Sequence, residues 1–417
     1  MDLKGLLADF KDCACGRPHE SGIAGIYIER GVTARTGELL KRHGFFGRLL
    51  VVADKNTLAA AKGLMEALSG FIVVSVVYPD KREPYYEDVL DIARKAGEAD
   101  GVLSVGTGTL NDICRLACKL AAAPFAVYAT APSMDGFASA SAPIVKNGFK
   151  RSYDAVQPRV ILADTAVLAA APAHLKAAGF GDMMGKYIGL ADWQAARLLA
   201  DEYHCERVAR LSLAATDRIL SMADKVRSKD EGTAAAIMEC LILTGLGMGF
   251  TKNSRPASGT EHIVSHYLDI TQLKAGIRPD YHGFQVGVAA LTIARRYHGY
   301  IGFGRAALVP DRTDWPAVYA AYGPDMRAEI EADNTPPLTD ALDPDRVAAV
   351  WPELCAAVRA LLPAPERLEA ALLAAGCPTD AAGIGVSDGL YGEALLYHPY
   401  MRRRLTLERV MPVLKLS

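Results

Sequence analysis

Three stretches place imidazole and carboxylate groups at spacings that suit a divalent cation. SGTEHIVSH (258–266) sets His262 and His266 at i, i+4, on one face of a helix. Asp182 stands within GFGDMMGK (179–186) and His282 within YHG (281–283), both beside glycines. A carboxylate and two imidazoles suit a borderline metal that keeps positions open for water or substrate, the arrangement of a catalytic rather than a structural ion. Asp182, His262, His266 and His282 are the groups that can converge. A thermolysin-like H-E-x-x-H peptidase motif is absent, because Glu261 precedes His262. Cys13-x-Cys15 is half of a zinc knuckle, but no second pair stands at finger spacing, so the eight cysteines read as reduced thiols.

A second chemistry is written in GTGTLND (106–112), directly after the apolar run Gly101–Val105. Gly106 and Gly108 let the backbone approach a pyrophosphate, and the N–H groups of Thr109, Leu110, Asn111 and Asp112 open a helix whose dipole favours the anion. The turn departs from G-x-G-x-x-G, because Asp112 replaces the third glycine. Asp54, ending an earlier apolar run, is either a carboxylate for an adenosine ribose or a helix N-cap. TAPSMDGFAS (130–139) adds Thr130, Ser133, Asp135 and Ser139 after the next strand, where open α/β sheets bind their ligands.

The elements that must hold these groups fall into two textures. Up to residue 164, β-rich runs (47–54, 71–78, 101–105, 125–129) alternate with helical patterns (56–69, 86–97, 109–122). The runs are too uniformly apolar for a sheet with one wet face, which predicts parallel strands with crossover helices, a Rossmann-like nucleotide-binding domain over 1–164. Short strands near 144–145 and 160–163 would close it. From 165 to 417 Ala/Leu patterns at helical spacing predict an all-α metal- and substrate-binding domain.

Composition narrows the partners. Lys+Arg 46 against Asp+Glu 48 lacks the cationic excess of a nucleic-acid binder. The N-terminus carries Lys and Asp where a secretory signal needs an apolar run, and the weakly polar stretches 117–131 and 167–179 fall short of a bilayer span, so a cytoplasmic chain without membrane contact is expected. A homodimer is the base-rate expectation.

GTGTLND, TAPSMDGFAS, GFGDMMGK, SRPASGTEHIVSH and YHG together resemble the sn-glycerol-1-phosphate dehydrogenase family, within the iron-containing alcohol dehydrogenase and dehydroquinate synthase-like superfamily. The resemblance covers about residues 20–300. It implies NAD(P)H held by Gly108–Asp112 at the pyrophosphate, by Thr130, Ser133 and Ser139 at the nicotinamide half, and by Asp54 at the ribose. It implies a metal on Asp182, His262 and His282 (zinc or nickel, with iron as a further candidate), and a substrate facing Asp135, His266 and Asp182. The implied reaction is reversible reduction of dihydroxyacetone phosphate to sn-glycerol 1-phosphate, with Asp135 or His266, through water, as proton donor. Arg255 and Lys150 are chosen for the phosphate ahead of Lys146 and Arg151. The segment 273–281 is longer than archaeal relatives suggest, which bears on the substrate fit more than on the metal.

Three rivals stay open at this point. A glycerol dehydrogenase would leave the cations without a phosphate. A dehydroquinate synthase-like cyclase is disfavoured, because that family uses Glu where Asp182 stands. A non-catalytic nucleotide sensor would keep the fold and the NADH site without turnover.

Overall fold

A computed structural model describes residues 2–147 and 149–417. Among the described residues, eight strands precede residue 165: β1 (Gly25–Glu29), β2 (Arg48–Asp54), β3 (Ile72–Tyr78), β4 (Gly101–Gly106), β5 (Phe125–Ala129), β6 (Ser141–Lys146), β7 (Phe149–Asp154) and β8 (Val160–Asp164). Six form one parallel sheet in the order β1-β8-β5-β4-β2-β3, and β6 with β7 makes a separate antiparallel hairpin. With the sheet run helices α1 (Leu3–Phe10), α2 (Val32–Arg42), α3 (Lys55–Ala60), α4 (Leu64–Ala67), α5 (Tyr86–Ala96) and α6 (Gly108–Ala121).

The uniform apolarity of the central strands has a direct cause: alternate residues feed two cores. Leu50 and Val52 of β2 pack with Ile92 of α5 and Ile113 of α6, while Leu49, Val51 and Ala53 pack with Leu39 and Leu40 of α2 and with Leu64. β3 departs from that expectation. It closes the sheet as an edge strand, with Ile72 65% exposed and Val74 and Val77 also exposed. The helix expected over 56–69 is broken into α3 and α4, because Gly63 takes a left-handed φ of +88° between them.

β2 leads outward to β3 and β4 leads the other way to β5, so the carboxyl ends of β2 and β4 flank the switch point of the sheet. Asp54 and the Gly106–Gly108 turn both open there, where ligands of open α/β sheets bind.

Beyond Asp164, whose carboxylate caps the next helix through Ala166 N at 3.1 Å, follow α7 (Thr165–Ala170), α8 (Ala173–Ala200), α9 (Glu206–Leu220), α10 (Glu231–Thr251), α11 (Thr260–Lys274) and α12 (His282–Tyr300). Shorter helices complete the chain, with one two-stranded ribbon pairing Ala306–Leu308 and Leu414–Leu416. α10 is long and apolar enough to cross a bilayer by composition, yet 72% of its most apolar window is buried among neighbouring elements, as a central core helix requires.

The glycines of α8 set how closely its neighbours approach. A Cβ on Gly181 would lie 2.2 Å from the Gly283 carbonyl, and one on Gly179 would lie 2.0 Å from that of Pro132. Only glycine lets α12 and the 130–139 segment close onto α8, and this contact brings Asp182, His282 and Asp135 together.

Candidate active site

A cleft of about 590 Å³ runs between the carboxyl ends of β2 and β4 and the starts of α11 and α12. His262, in the first turn of α11, and His282, the first residue of α12, both line it; Asp182 lies behind them, wholly buried in α8. One ligand atom from each of the three lies within 4.8 Å of the others. Each imidazole is oriented by its second nitrogen: His262 Nδ1 meets Glu261 Oε1 at 2.5 Å, and His282 Nδ1 meets Ser265 Oγ at 3.2 Å. Ser265 in turn donates to Gln285 Oε1 at 2.7 Å. That pattern leaves each Nε2 for an ion, as in histidine sites where a carboxylate or hydroxyl fixes the tautomer. The oxygen and nitrogen donor set fits a divalent cation with open positions.

Asp182 is braced by three neighbours. Lys186, one turn further along α8, gives its ammonium to Asp182 Oδ1 at 2.7 Å, the Asp135 backbone N–H donates to Oδ2 at 2.9 Å, and His262 Nε2 stands 3.5 Å from Oδ1. Burial alone would raise the Asp182 carboxyl, but the Lys186 ammonium and His262 hold it well below the usual carboxylate range. Lys186 also pairs with Asp135 Oδ2 at 2.9 Å. Burial and the Asp182 charge push the Asp135 carboxyl up, against the pull of Lys186. His266 lines the cleft beyond His262, its buried Nδ1 without a partner; burial, then the charges of Arg402 and Lys150, keeps it neutral.

On the opposite wall, Thr107 stands in extended backbone and α6 starts at Gly108, so the N–H groups of the first turn face the cleft. A Cβ on Gly108 would come 3.3 Å from Met134. Thr109, Leu110, Asp112, Thr130, Ser133, Ser139 and Asp54 all line the cleft. Two expected cofactor residues do not. Gly106 sits under Leu110, and Asn111 is fully buried, turned inward from the cleft that Gly108 and Asp112 line. Asp54 is a helix cap through Oδ1, which accepts from Asn56 and Thr57 N–H at 2.8 Å each. That bonding leaves Oδ2 for a ribose, so the two readings of this residue are compatible.

The cations are sorted differently from the expectation. Arg255 faces away from the cleft: its guanidinium grips the Glu202 carboxylate with two nitrogens, one at 2.7 Å, and donates to the Leu405 carbonyl at 2.7 Å. A fork already holding a carboxylate cannot serve a substrate phosphate, and the partner, 53 residues upstream, left no local mark in the sequence. Lys150, on β7, does line the cleft, with Asp269 at 2.5 Å and further N–H donors available. Arg402 is the residue that sequence reasoning missed. It reaches the cleft from the C-terminal region, and its guanidinium makes no hydrogen bond or ion pair among the described residues.

Arg115 and Lys186 were also illegible as site residues. Arg115, completely buried, donates to the carbonyls of Ser139 (2.8 Å), Ser141 (3.1 Å) and Gly136, and so shapes the 130–141 segment from beneath. The 273–281 segment straps across the cleft mouth: Arg278 Nε meets Glu83 Oε1 at 3.0 Å, and Lys81 lies 4.5 Å over the Tyr281 ring.

The iron-containing alcohol dehydrogenase family profile matches residues 27–172. A glycerol-1-phosphate dehydrogenase [NAD(P)+] of Geobacillus stearothermophilus is 30% identical over 405 residues, covering 94% of this chain and 93% of that one. The enzyme of the same name from Bacillus licheniformis is 42% identical over 205 residues, 49% of this chain and 51% of its own length. Over that stretch the chain therefore spans about half of the relative. A crystal structure of a probable glycerol dehydrogenase from Sinorhizobium meliloti shares the fold, with a TM-score of 0.62, 17% identity and coverage of 90% of this chain and 89% of that one.

Proposed function

The chain belongs to the glycerol-1-phosphate dehydrogenase family, a group of NAD(P)-dependent oxidoreductases that use a metal ion, and from that premise we propose that it reduces dihydroxyacetone phosphate to sn-glycerol 1-phosphate, reversibly. The observation that carries the reading is the meeting of Asp182, His262 and His282 within 4.8 Å, across one cleft from the Gly108 turn.

On this reading residues 1–164 form the nucleotide lobe and residues 165–417 the lobe for metal and substrate. The backbone N–H groups of the α6 start would hold the pyrophosphate, Asp54 Oδ2 the ribose, and Thr130, Ser133 and Ser139 the nicotinamide half. Asp182, His262 and His282 would hold zinc or nickel, the donor set suiting either, with iron as a further candidate. When bound, the cation stabilises negative charge on the substrate's carbonyl oxygen while the nicotinamide supplies hydride. Lys186 keeps Asp182 ionised for that cation and ties Asp135 to it. Asp135 or His266, through water, would return the proton to the substrate oxygen. Lys150 and the unpaired Arg402 would take the phosphate, with Lys150 shared between Asp269 and the substrate. A homodimer in the cytoplasm completes the proposal.

The test compares substrates under NADH and NADPH. Turnover of dihydroxyacetone phosphate should far exceed that of unphosphorylated dihydroxyacetone, and the product should be the sn-1 isomer. Faster turnover of free glycerol than of glycerol 1-phosphate would instead make the chain a glycerol dehydrogenase. Equal kcat/KM with NADPH would show that Asp54 does not discriminate against a 2′-phosphate.

A further inference from the structure

Outside the cleft, the segment that precedes β1 forms, with Cys205, a second cluster of metal-binding groups. Cys13, Cys15, His19 and Cys205 bring one ligand atom each within 4.8 Å of all the others. Cys13 Sγ and Cys205 Sγ are 3.6 Å apart, and His19 Nε2 lies 3.2 Å from Cys15 Sγ and 3.5 Å from Cys205 Sγ. With zinc–sulfur bonds of about 2.3 Å and zinc–nitrogen bonds of about 2.0–2.1 Å, a tetrahedral ion separates its ligands by about 3.8 Å (S to S) and about 3.5 Å (S to N). The observed separations match the edges of that tetrahedron. No disulfide joins any of the three cysteines.

The surroundings complete the pattern of a structural metal site. His19 Nδ1 points at the Phe250 carbonyl at 3.2 Å, which fixes the tautomer with Nε2 toward the sulfurs. Tyr203 Oη lies 3.4 Å from Cys15 Sγ, placed to donate to a thiolate, and the Arg17 guanidinium stacks 3.6 Å over the Tyr203 ring, supplying positive charge beside a centre with three thiolates. Four protein ligands leave no open position, unlike the Asp182 triad.

We propose that Cys13, Cys15, His19 and Cys205 bind a structural zinc ion in a Cys3His site. Binding releases the three thiol protons and leaves His19 neutral. The ion fastens the segment before β1 to the helical lobe: Cys205 is the N-cap of α9, Phe250 belongs to the last turn of α10, and Phe10 packs on both His19 and Phe250. The chain that leaves α10 carries Ser254 and Ser258, which line the cleft, so the clamp steadies one wall of the active site from behind.

The full-length chain, purified reduced and loaded with Co2+, supplies the test. Thiolate-to-cobalt charge-transfer bands with the intensity of three sulfurs should appear, and the cleft triad, which has no sulfur, cannot produce them. The bands should persist in His282→Ala, which disables the cleft triad, so failure of the proposed catalytic metal and failure of this site are read separately. They should vanish in Cys205→Ser, with a lower Tm. Absence of thiolate–cobalt bands from the wild-type chain would overturn the site. So would Cys13 and Cys15 thiols that react as fast in excess zinc as without it, or a Cys13–Cys205 disulfide forming in zinc-loaded protein.

Discussion

Among the described residues, two groups of metal-ligating side chains come together, and they are built in opposite ways. The Asp182–His262–His282 triad offers oxygen and nitrogen, with both imidazoles on a cleft and open positions for a substrate. The Cys13–Cys15–His19–Cys205 tetrad offers three sulfurs and one nitrogen and closes on itself beside the segment before β1. The difference separates an ion that must exchange ligands during turnover from one that only holds chain segments together. The triad also spends burial on a charged relay, Lys186 with Asp135 and Asp182, that the tetrad lacks.

The sharpest way to break this contrast is to exchange the roles by mutation. His282→Ala should cut kcat by about 10³-fold or more while leaving Tm near that of the wild type, as expected when transition-state charge stabilisation is lost. Cys205→Ser should do the reverse, lowering Tm while the folded enzyme retains most of its kcat. Matching losses of activity in both variants, after correction for folded protein, would erase the distinction.

Lys186→Met tests the relay. Two buried carboxylates then face each other without their ammonium, and metal affinity should fall by about 10–100-fold, the usual cost of removing a group that supports a ligand. Titrating activity against added Zn2+ or Ni2+ reads this directly, and an unchanged midpoint would remove Lys186 from the account.

The cations give a smaller effect. Arg402→Ala should raise KM for dihydroxyacetone phosphate by about tenfold, or about 1.4 kcal/mol, with little change in KM for the unphosphorylated ketone. Arg255→Ala, which strips Glu202 of its partner, should lower Tm and leave that ratio alone. The reverse outcome would restore the assignment that the sequence suggested.

The smallest predicted effect is a pH dependence. Burial pushes the Asp112 carboxyl from 3.8 up to about 7, against the pull of Arg115 and Lys150. Between these values the folded chain holds a proton that the unfolded chain has lost, so this group's contribution to stability falls as pH rises from about 4 to about 7 and is flat above. An ionised Asp112 also opposes a pyrophosphate, so KM for NADH should rise across pH 7. Asp112→Asn should flatten both trends, measured by Tm and KM from pH 5 to 9.

What could be read without coordinates follows from how local each signal is. The central strands were legible because burial on both faces leaves them apolar at every position, and the glycine turn because it stands between a strand and a helix. His262 was legible through its helical partner, and Asp182 and His282 through the glycines that let α8 and α12 touch. β1 is not legible in the sequence, since a five-residue edge strand with Tyr27 and Glu29 carries little pattern. β3 reads as buried from sequence because an apolar edge strand has the same composition as a central one. Sequence does not separate Arg255 from Arg402 for one reason: a charge is sorted into structural or functional by its partner, and Glu202 is 53 residues from Arg255 along the chain. The tetrad shows the same limit. Cys13 and Cys15 were visible as half a site, but Cys205, 192 residues beyond Cys13, declares itself only after folding.

The central claim is that Asp182, His262 and His282 hold the cation on which turnover depends. Protein stripped by a chelator that spares the cysteine site should oxidise no NADH with dihydroxyacetone phosphate, and one equivalent of Zn2+ or Ni2+ should restore the rate in the wild type but not in His282→Ala. Full activity in protein shown to have an empty triad would contradict it.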